Sequence, residues 1–308
     1  MNKQKLSITL IILLGISFTS CSSIMKIASI SAELAGATGM IDKNVAHSIS
    51  KSTEAIGNAA EVITPEAEYI IGKQVAAQLL GEYPLYRNKD ATKYLNSICY
   101  TMIIHSEKPN LYKGYYVGIL DSNEINAFAT SGGHILITKG LLKCADTEDA
   151  IAAVIAHEIA HIQLQHSIKA IKASRNTIAT LSALSATAVT LTNGDEDTVN
   201  LTKALDESVN NVITILVDSG YSVSQEYAAD KKALELMSNA GYDTSCMNDM
   251  LSLLEKNSKN TKKGFSLTHP APQKRKKNLE KEYSKYSVYT PKECRTERFL
   301  KNKKNLSL

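Results

Sequence analysis

The stretch Val154-Ile155-Ala156-His157-Glu158-Ile159-Ala160-His161-Ile162 holds the side chains best suited to chemistry. Positions four apart on a helix share a face, so His157 and His161 can offer two imidazole nitrogens to one ion. Zinc, one ion per chain, is the metal that suits such a pair. Glu158 lies one position round from His157, near enough to reach a zinc-polarised water without being a ligand, which is the placement of a general base. The chemistry implied is peptide hydrolysis, with the water's pKa lowered toward neutrality and its proton passing to Glu158 as it attacks a carbonyl. The bland alternative is a core helix carrying two satisfied histidines, but the apolar flanks would make two unpaired imidazoles costly.

Two imidazoles need a third ligand and an acceptor that fixes ring orientation. The run Glu226-Tyr227-Ala228-Ala229-Asp230 can supply both, Glu226 as ligand and Asp230 as acceptor, because the two carboxylates share a helix face. The pattern is weak in isolation and gains strength from the upstream His-Glu-x-x-His.

The elements that must position these groups can be read from period and punctuation. A continuous helix is expected from Glu148 to about Ile168, capped by Asp146 or Thr147 and acidic in its first turn. A second is expected to run through Ala240, capped by Ser222 or its neighbour and stopped by Gly241, with Ala229 and Ala233 small enough to allow close packing. Upstream, Thr64-Pro65-Glu66 starts a helix running to Leu80, Gly81 to Asp90 is a loop, and Ala91 to Ile104 is another helix. The period then shifts to that of strands at Tyr115–Leu120, Ile125–Thr130 and His134–Thr138, the last entered through Ser131-Gly132-Gly133. Asn126, Ala127, Phe128 and Ala129 are expected on an exposed edge strand beside the zinc, binding an extended substrate through main-chain hydrogen bonds. A buried helix is expected at Ile178–Thr192, then a turn at Asn193–Asp197 and a return helix to about Val217.

The N-terminus reads as an export signal over residues 1–20, with Lys3 and Lys5 ahead of a thirteen-residue apolar run, Leu6 to Phe18, too short to span a bilayer comfortably. Phe18-Thr19-Ser20-Cys21 resembles a bacterial lipoprotein processing box, which would anchor Cys21 in a membrane facing the periplasm. Ser22 after the cysteine points to the outer membrane. Residues 21–63, rich in Ser, Ala and Gly and without aromatics, read as a tether. Cys99, Cys144, Cys246 and Cys294 lack metal-ligand spacing, and sequence leaves all three of their possible disulfide pairings open.

The net charge of +4 is unevenly placed, with 16 Lys or Arg against 4 Glu from Lys256 to Leu308, hence about +12 there and about −8 elsewhere. This reads as a solvated surface helix ending in a basic C-terminal tail, 291–308. Contact with anionic lipid is the other option, and no nucleic-acid partner is expected.

Taken together, the chain resembles the CAAX-prenyl-protease-type zinc metallopeptidases, the group of HtpX, LoiP and BepA. The resemblance runs from Pro65 to Leu279 and rests on five features. These are Pro65-Glu66 with Gly72, the run from Asn126 to Leu142, the His157 motif, the Glu226 motif, and Thr268-His269-Pro270 with Arg275. It implies an α+β, mainly helical zincin-type (gluzincin) domain over 64–290 with a small sheet beside the metal helix. His157, His161 and Glu226 would be zinc ligands, Glu158 the base and Asp230 their support. It also implies a role for His269, either steadying the oxyanion or closing onto zinc as a fourth, inhibitory ligand. His134, where relatives often carry an aromatic, and Gln165, where they often carry Arg, depart from the pattern. The implied function is endopeptidase action on misfolded or unassembled envelope proteins, with the outer-membrane assembly machinery as a possible partner. The rival is a chaperone-like or assembly lipoprotein whose zinc site is structural or latent.

Overall fold

A computed structural model describes residues 63–173, 206, 208–258, 268–269, 271–286 and 292–306. The expected signal, Cys21, all but the end of the tether, the expected helix at 178–192 and the turn after it lie outside the described residues. From Pro65 on, the described residues belong to one unit, Pro65–Ala173 with Asp206–Leu308.

Nine α-helices and three strands are described: α1 Pro65–Glu82, α2 Lys89–Ile104, β1 Tyr116–Leu120, β2 Ala127–Ala129, β3 His134–Thr138, α3 Lys139–Cys144, α4 Glu148–Gln163, α5 His166–Ala173, α6 Val223–Asn239, α7 Cys246–Ser258, α8 Pro272–Leu279 and α9 Lys292–Leu306. A π-helical turn, Ile215–Ser219, precedes α6. The mainly helical α+β architecture is the expected one.

Helix α4 is the axis of the core. Thr147 caps it by accepting from the Ala150 amide, and Glu148 and Asp149 meet the positive end of the helix dipole. Every one of its residues is buried. Ile151, Ile155 and Ile159 are fully covered, each stabilising the fold by about 1.5–3 kcal/mol relative to exposure. Around it pack α2, α6, α7 and the sheet. Helix α6 opens with a capping box, Ser222 to Gln225 and back, and its Ala229 and Ala233 are fully buried, which lets it approach α4 closely.

The sheet has the order β1-β3-β2, with β1 parallel and β2 antiparallel to β3. Val117 pairs with Ile135 and Phe128 with Leu136. Helix α1 lies directly on the turn between β2 and β3. A Cβ at Gly72 would fall 1.3 Å from the Ser131 carbonyl oxygen, so the contact exists only for glycine.

Three expectations need correction. The metal helix does not run to Ile168: it ends at Gln163, and Gln165 takes a left-handed φ of 55° before α5 begins. Strand β2 is at the sheet edge but is not exposed, since Asn126, Ala127, Phe128 and Ala129 are all buried. It lies against α4, with Phe128 packed on Tyr83. Residues 292–306 are not the plain basic tail expected at 291–308. They form a helix whose Arg295, Phe299 and Leu306 are buried on one face. Arg295 Nε donates to Asp149 at 2.9 Å and Arg298 Nε to Glu148 at 2.8 Å, so α9 holds the start of α4. Its high charge hides that face, because only three positions of the helix, Phe299, Leu300 and Leu306, are large and apolar, and Leu300 is exposed.

Cys99, Cys144, Cys246 and Cys294 form no disulfide. Among the described residues no helix is long and apolar enough to cross a membrane.

Candidate metal and active site

His157 and His161 project from the same face of α4, as their spacing requires, with Nε2 atoms 3.1 Å apart. Helix α6 brings Glu226 opposite them. One carboxylate oxygen is 3.6 Å from His157 Nε2 and the other 3.5 Å from His161 Nε2. His269, from the segment before α8, places Nδ1 2.7 Å from Glu226 Oε2. One donor atom from each of these four residues lies within 4.8 Å of the others.

These spacings fit a single small cation. Ligands about 2.0–2.1 Å from a tetrahedral zinc stand roughly 3.3 Å from one another, and the ring and carboxylate atoms above bracket that figure. Glu226 is fully buried, and its Oε1 has no hydrogen-bond partner, an arrangement costly for a carboxylate unless a cation faces it. Two nitrogen rings and a carboxylate are the donor chemistry zinc takes.

The supports behind the rings differ. His157 Nδ1 lies 3.0 Å from Asp230 Oδ1. Asp230 is in turn gripped by Arg275, whose Nε donates to Oδ2 at 2.9 Å and Nη2 to Oδ1 at 2.5 Å. His161 Nδ1 meets no carboxylate; it lies 3.0 Å from His166 Nδ1. Its ring stacks on Tyr221, with centroids 4.5 Å apart.

Burial and charge set the protonation states. Burial pushes the Glu158 carboxyl up to about 7, with the Glu226 charge adding to the effect and His157 opposing it. A carboxyl held near neutrality can both accept and return a proton. Burial acts against ionised Glu226 too, but His269, His157 and His161 around it outweigh that and hold it well below the ordinary carboxylate range. Burial holds His161 well below the usual imidazole range, leaving a lone pair free for a metal.

Among the described residues the site leaves little room. Ala127, Glu158, His161, Ile215, Leu216, Gly220, Tyr221, Thr268 and His269 enclose a cavity of about 10 Å³, room for roughly one water. Of the four residues expected to bind substrate, only Ala127 reaches this cavity. The Asn126 side chain instead accepts from the Ala127 amide.

Sequence reasoning gave no role to Arg275, His166 or Tyr221. Arg275 was named in the resemblance beside Thr268-His269-Pro270, but its place in the Lys274–Lys277 run of cations gave no sign that it is 1% exposed and paired with Asp230. Tyr221 carried no signal, whereas His166 was visible only as a histidine out of helical register with His161.

A model of peptidase family M48 matches residues 89–283. The chain belongs to that family. The M48 match spans the sheet, α4, α6 and α8, and so covers all the residues of the cluster. Among curated proteins, the chain is 24% identical over 222 residues to the beta-barrel assembly-enhancing protease of Escherichia coli, covering 71% of this chain and 44% of that protein. It is 32% identical over 146 residues to a protease HtpX homolog of Fusobacterium nucleatum, 44% of this chain and 46% of that one. It is 30% identical over 159 residues to the mitochondrial metalloendopeptidase OMA1 of Schizosaccharomyces pombe, 50% of this chain and 42% of that one. The matched stretch thus spans less than half of each relative.

Proposed function

We propose that the protein is a zinc-dependent endopeptidase of the bacterial cell envelope, with His157, His161 and Glu226 as ligands of one zinc ion and Glu158 as general base. The observation that carries this reading is the convergence of three donors from α4 and α6 beside the buried carboxyl of Glu158. Bound zinc would supply a Lewis acid that polarises the scissile carbonyl and acidifies the attacking water. Glu158 takes the proton of that water and returns it to the leaving amine. Asp230, held by Arg275, keeps His157 oriented with Nε2 toward the metal.

The substrates are misfolded or unassembled envelope proteins, a class favoured by the likeness to a protease whose name describes β-barrel assembly. The catalytic domain comprises residues 64–290, and lipid on Cys21 holds it to the periplasmic face of a membrane, the outer one by the Ser22 rule. The outer-membrane assembly machinery is the partner this location favours. An extended peptide would lie along Asn126–Ala129 once the site opens. The small cavity means that residues 215–221 and 268–269 must move first.

The test is Glu158→Gln. Metal content should stay near one zinc per chain while cleavage of an unfolded protein such as casein disappears; undiminished cleavage removes the peptidase reading.

A second reading is favoured by His269, whose ring joins the donor cluster. Four protein ligands and no open position describe a structural or latent zinc, as in a chaperone-like assembly lipoprotein. If His269→Ala gains proteolytic activity, His269 is an inhibitory lid ligand of a regulated protease. If the variant stays inert with zinc bound, the assembly role is the better account, and reduced activity with zinc retained points to an oxyanion role.

A further inference from the structure

His166 lies outside the ligand set, yet it is 2% exposed and in direct contact with His161. A continuous helix would not put it there. At 3.6 residues per turn, a residue five positions beyond His161 points about 140° away from it. The chain departs from the helix after Gln163, with Gln165 at φ 55°, a conformation that costs a non-glycine residue about 1 kcal/mol or more. The outcome of that turn is to bring His166 Nδ1 to 3.0 Å from His161 Nδ1. The residue after His166 completes the arrangement, since Ser167 Oγ is 2.7 Å from the Tyr221 hydroxyl. Tyr221 lies nearly parallel to the His161 ring, at an interplanar angle of 23°. His161 is therefore held at its far nitrogen by one side chain and across its face by another.

We propose that His166 is the positioning residue for His161, accepting a hydrogen bond from His161 Nδ1–H and so fixing the tautomer that presents Nε2 to the metal. His161 Nε2 is the nitrogen facing His157 Nε2 and Glu226. If Nε2 offers its lone pair, the ring proton sits on Nδ1. His166 Nδ1 must then be a bare acceptor, and His166 is the neutral tautomer protonated at Nε2. The two ligands would be supported asymmetrically, His157 by an anionic carboxylate backed by Arg275 and His161 by a neutral ring. A neutral acceptor draws less charge onto its ligand than a carboxylate does, which leaves His161 the weaker donor of the pair.

The inference rests on the zinc site proposed above, and the experiment separates the two. Zinc affinity is measured by chelator competition for wild type, His166→Met and His166→Gln, and the absorption spectrum of each cobalt-substituted protein is recorded. Loss of a partner behind a metal ligand weakens binding about 10- to 100-fold. That loss and an altered cobalt spectrum are expected for Met, while the Gln amide oxygen, able to accept from Nδ1–H, should recover most of the affinity. Wild-type affinity and spectrum in His166→Met would overturn the inference while leaving the zinc site intact; a wild type that binds no zinc would overturn both. A reading free of any folding defect comes from the unaltered zinc-loaded protein. Nitrogen-15 NMR of its histidines should show His166 protonated at Nε2 and bare at Nδ1, and a proton on His166 Nδ1 refutes the proposal.

Discussion

Replacing Arg275 by Met is the most direct probe of how the site is held. Arg275 is 1% exposed and Asp230 fully buried, and two hydrogen bonds of 2.9 and 2.5 Å join them. The substitution keeps the apolar stem and removes the guanidinium, stranding a buried carboxylate whose remaining partner in the cluster is His157. Breaking one side of such a pair costs about 3–5 kcal/mol. The His157 contact at 3.0 Å places the expectation near the lower end, about 3 kcal/mol. For a domain of 150–250 residues each kcal/mol moves the melting temperature by about 2–4 °C, so a fall of at least about 6 °C is expected in a thermal melt of the chelated protein. The double variant Arg275→Met with Asp230→Asn removes the stranded charge and should recover part of the loss, a coupling of about 1–3 kcal/mol. The pH dependence follows from the sign of the shift. Burial opposes ionised Asp230, but Arg275 outweighs it and holds the carboxyl below its ordinary value of 3.8. A depressed folded value contributes stability above the ordinary value and loses it as pH falls through the folded one. The gap between wild type and Arg275→Met in urea midpoint should therefore be widest near neutrality and close in acid. A loss below about 1 kcal/mol, or strict additivity in the double variant, would refute the claim that this pair supports the site.

Three further outcomes can be checked. Gly220 has φ 71° and ψ 173°, a region only glycine adopts freely, and a Cβ there would fall 2.1 Å from the Thr268 carbonyl oxygen. Gly220→Ala should displace the segment carrying His269 and speed metal loss to a chelator, whereas unchanged extraction would argue that this segment does not shield the site. Removal of residues 292–308, or Arg295→Met alone, leaves Asp149 buried without its guanidinium. Phe299→Ala should itself cost about 3–5 kcal/mol, and full stability in any of these would show α9 to be dispensable. Chelation should lower the melting temperature of the holoprotein in proportion to RT ln(1 + [zinc]/Kd), about 4 kcal/mol at a thousandfold excess over Kd; no shift would deny a specific metal site.

Much of the local structure was legible before any packing was known. The capped helix starts, placed to within a residue at Asp146 or Thr147 and at Ser222 or its neighbour, the strand period at 134–138 and the helical spacing of His157 and His161 are short-range effects, set by backbone hydrogen bonding and by 3.6 residues per turn. The end of α4 was not legible, because neither Leu164 nor Gln165 is a helix breaker by type; tertiary contacts there override a permissive sequence. The exposure of β2 was misread for a related reason. Alternation indicates a strand, but whether its free edge meets solvent depends on what packs over it.

The sequence by itself determined which donors exist and which of them share a face: His157 with His161, and Glu226 with Asp230. Those facts follow from helical geometry over one turn. Only the tertiary structure decided that the two faces meet and that His269 joins them. It alone joined Arg275 to Asp230 and returned His166 to His161 after the helix breaks. Each of these depends on contacts between segments far apart in the chain, where shape and burial rather than local propensity decide which side chains touch.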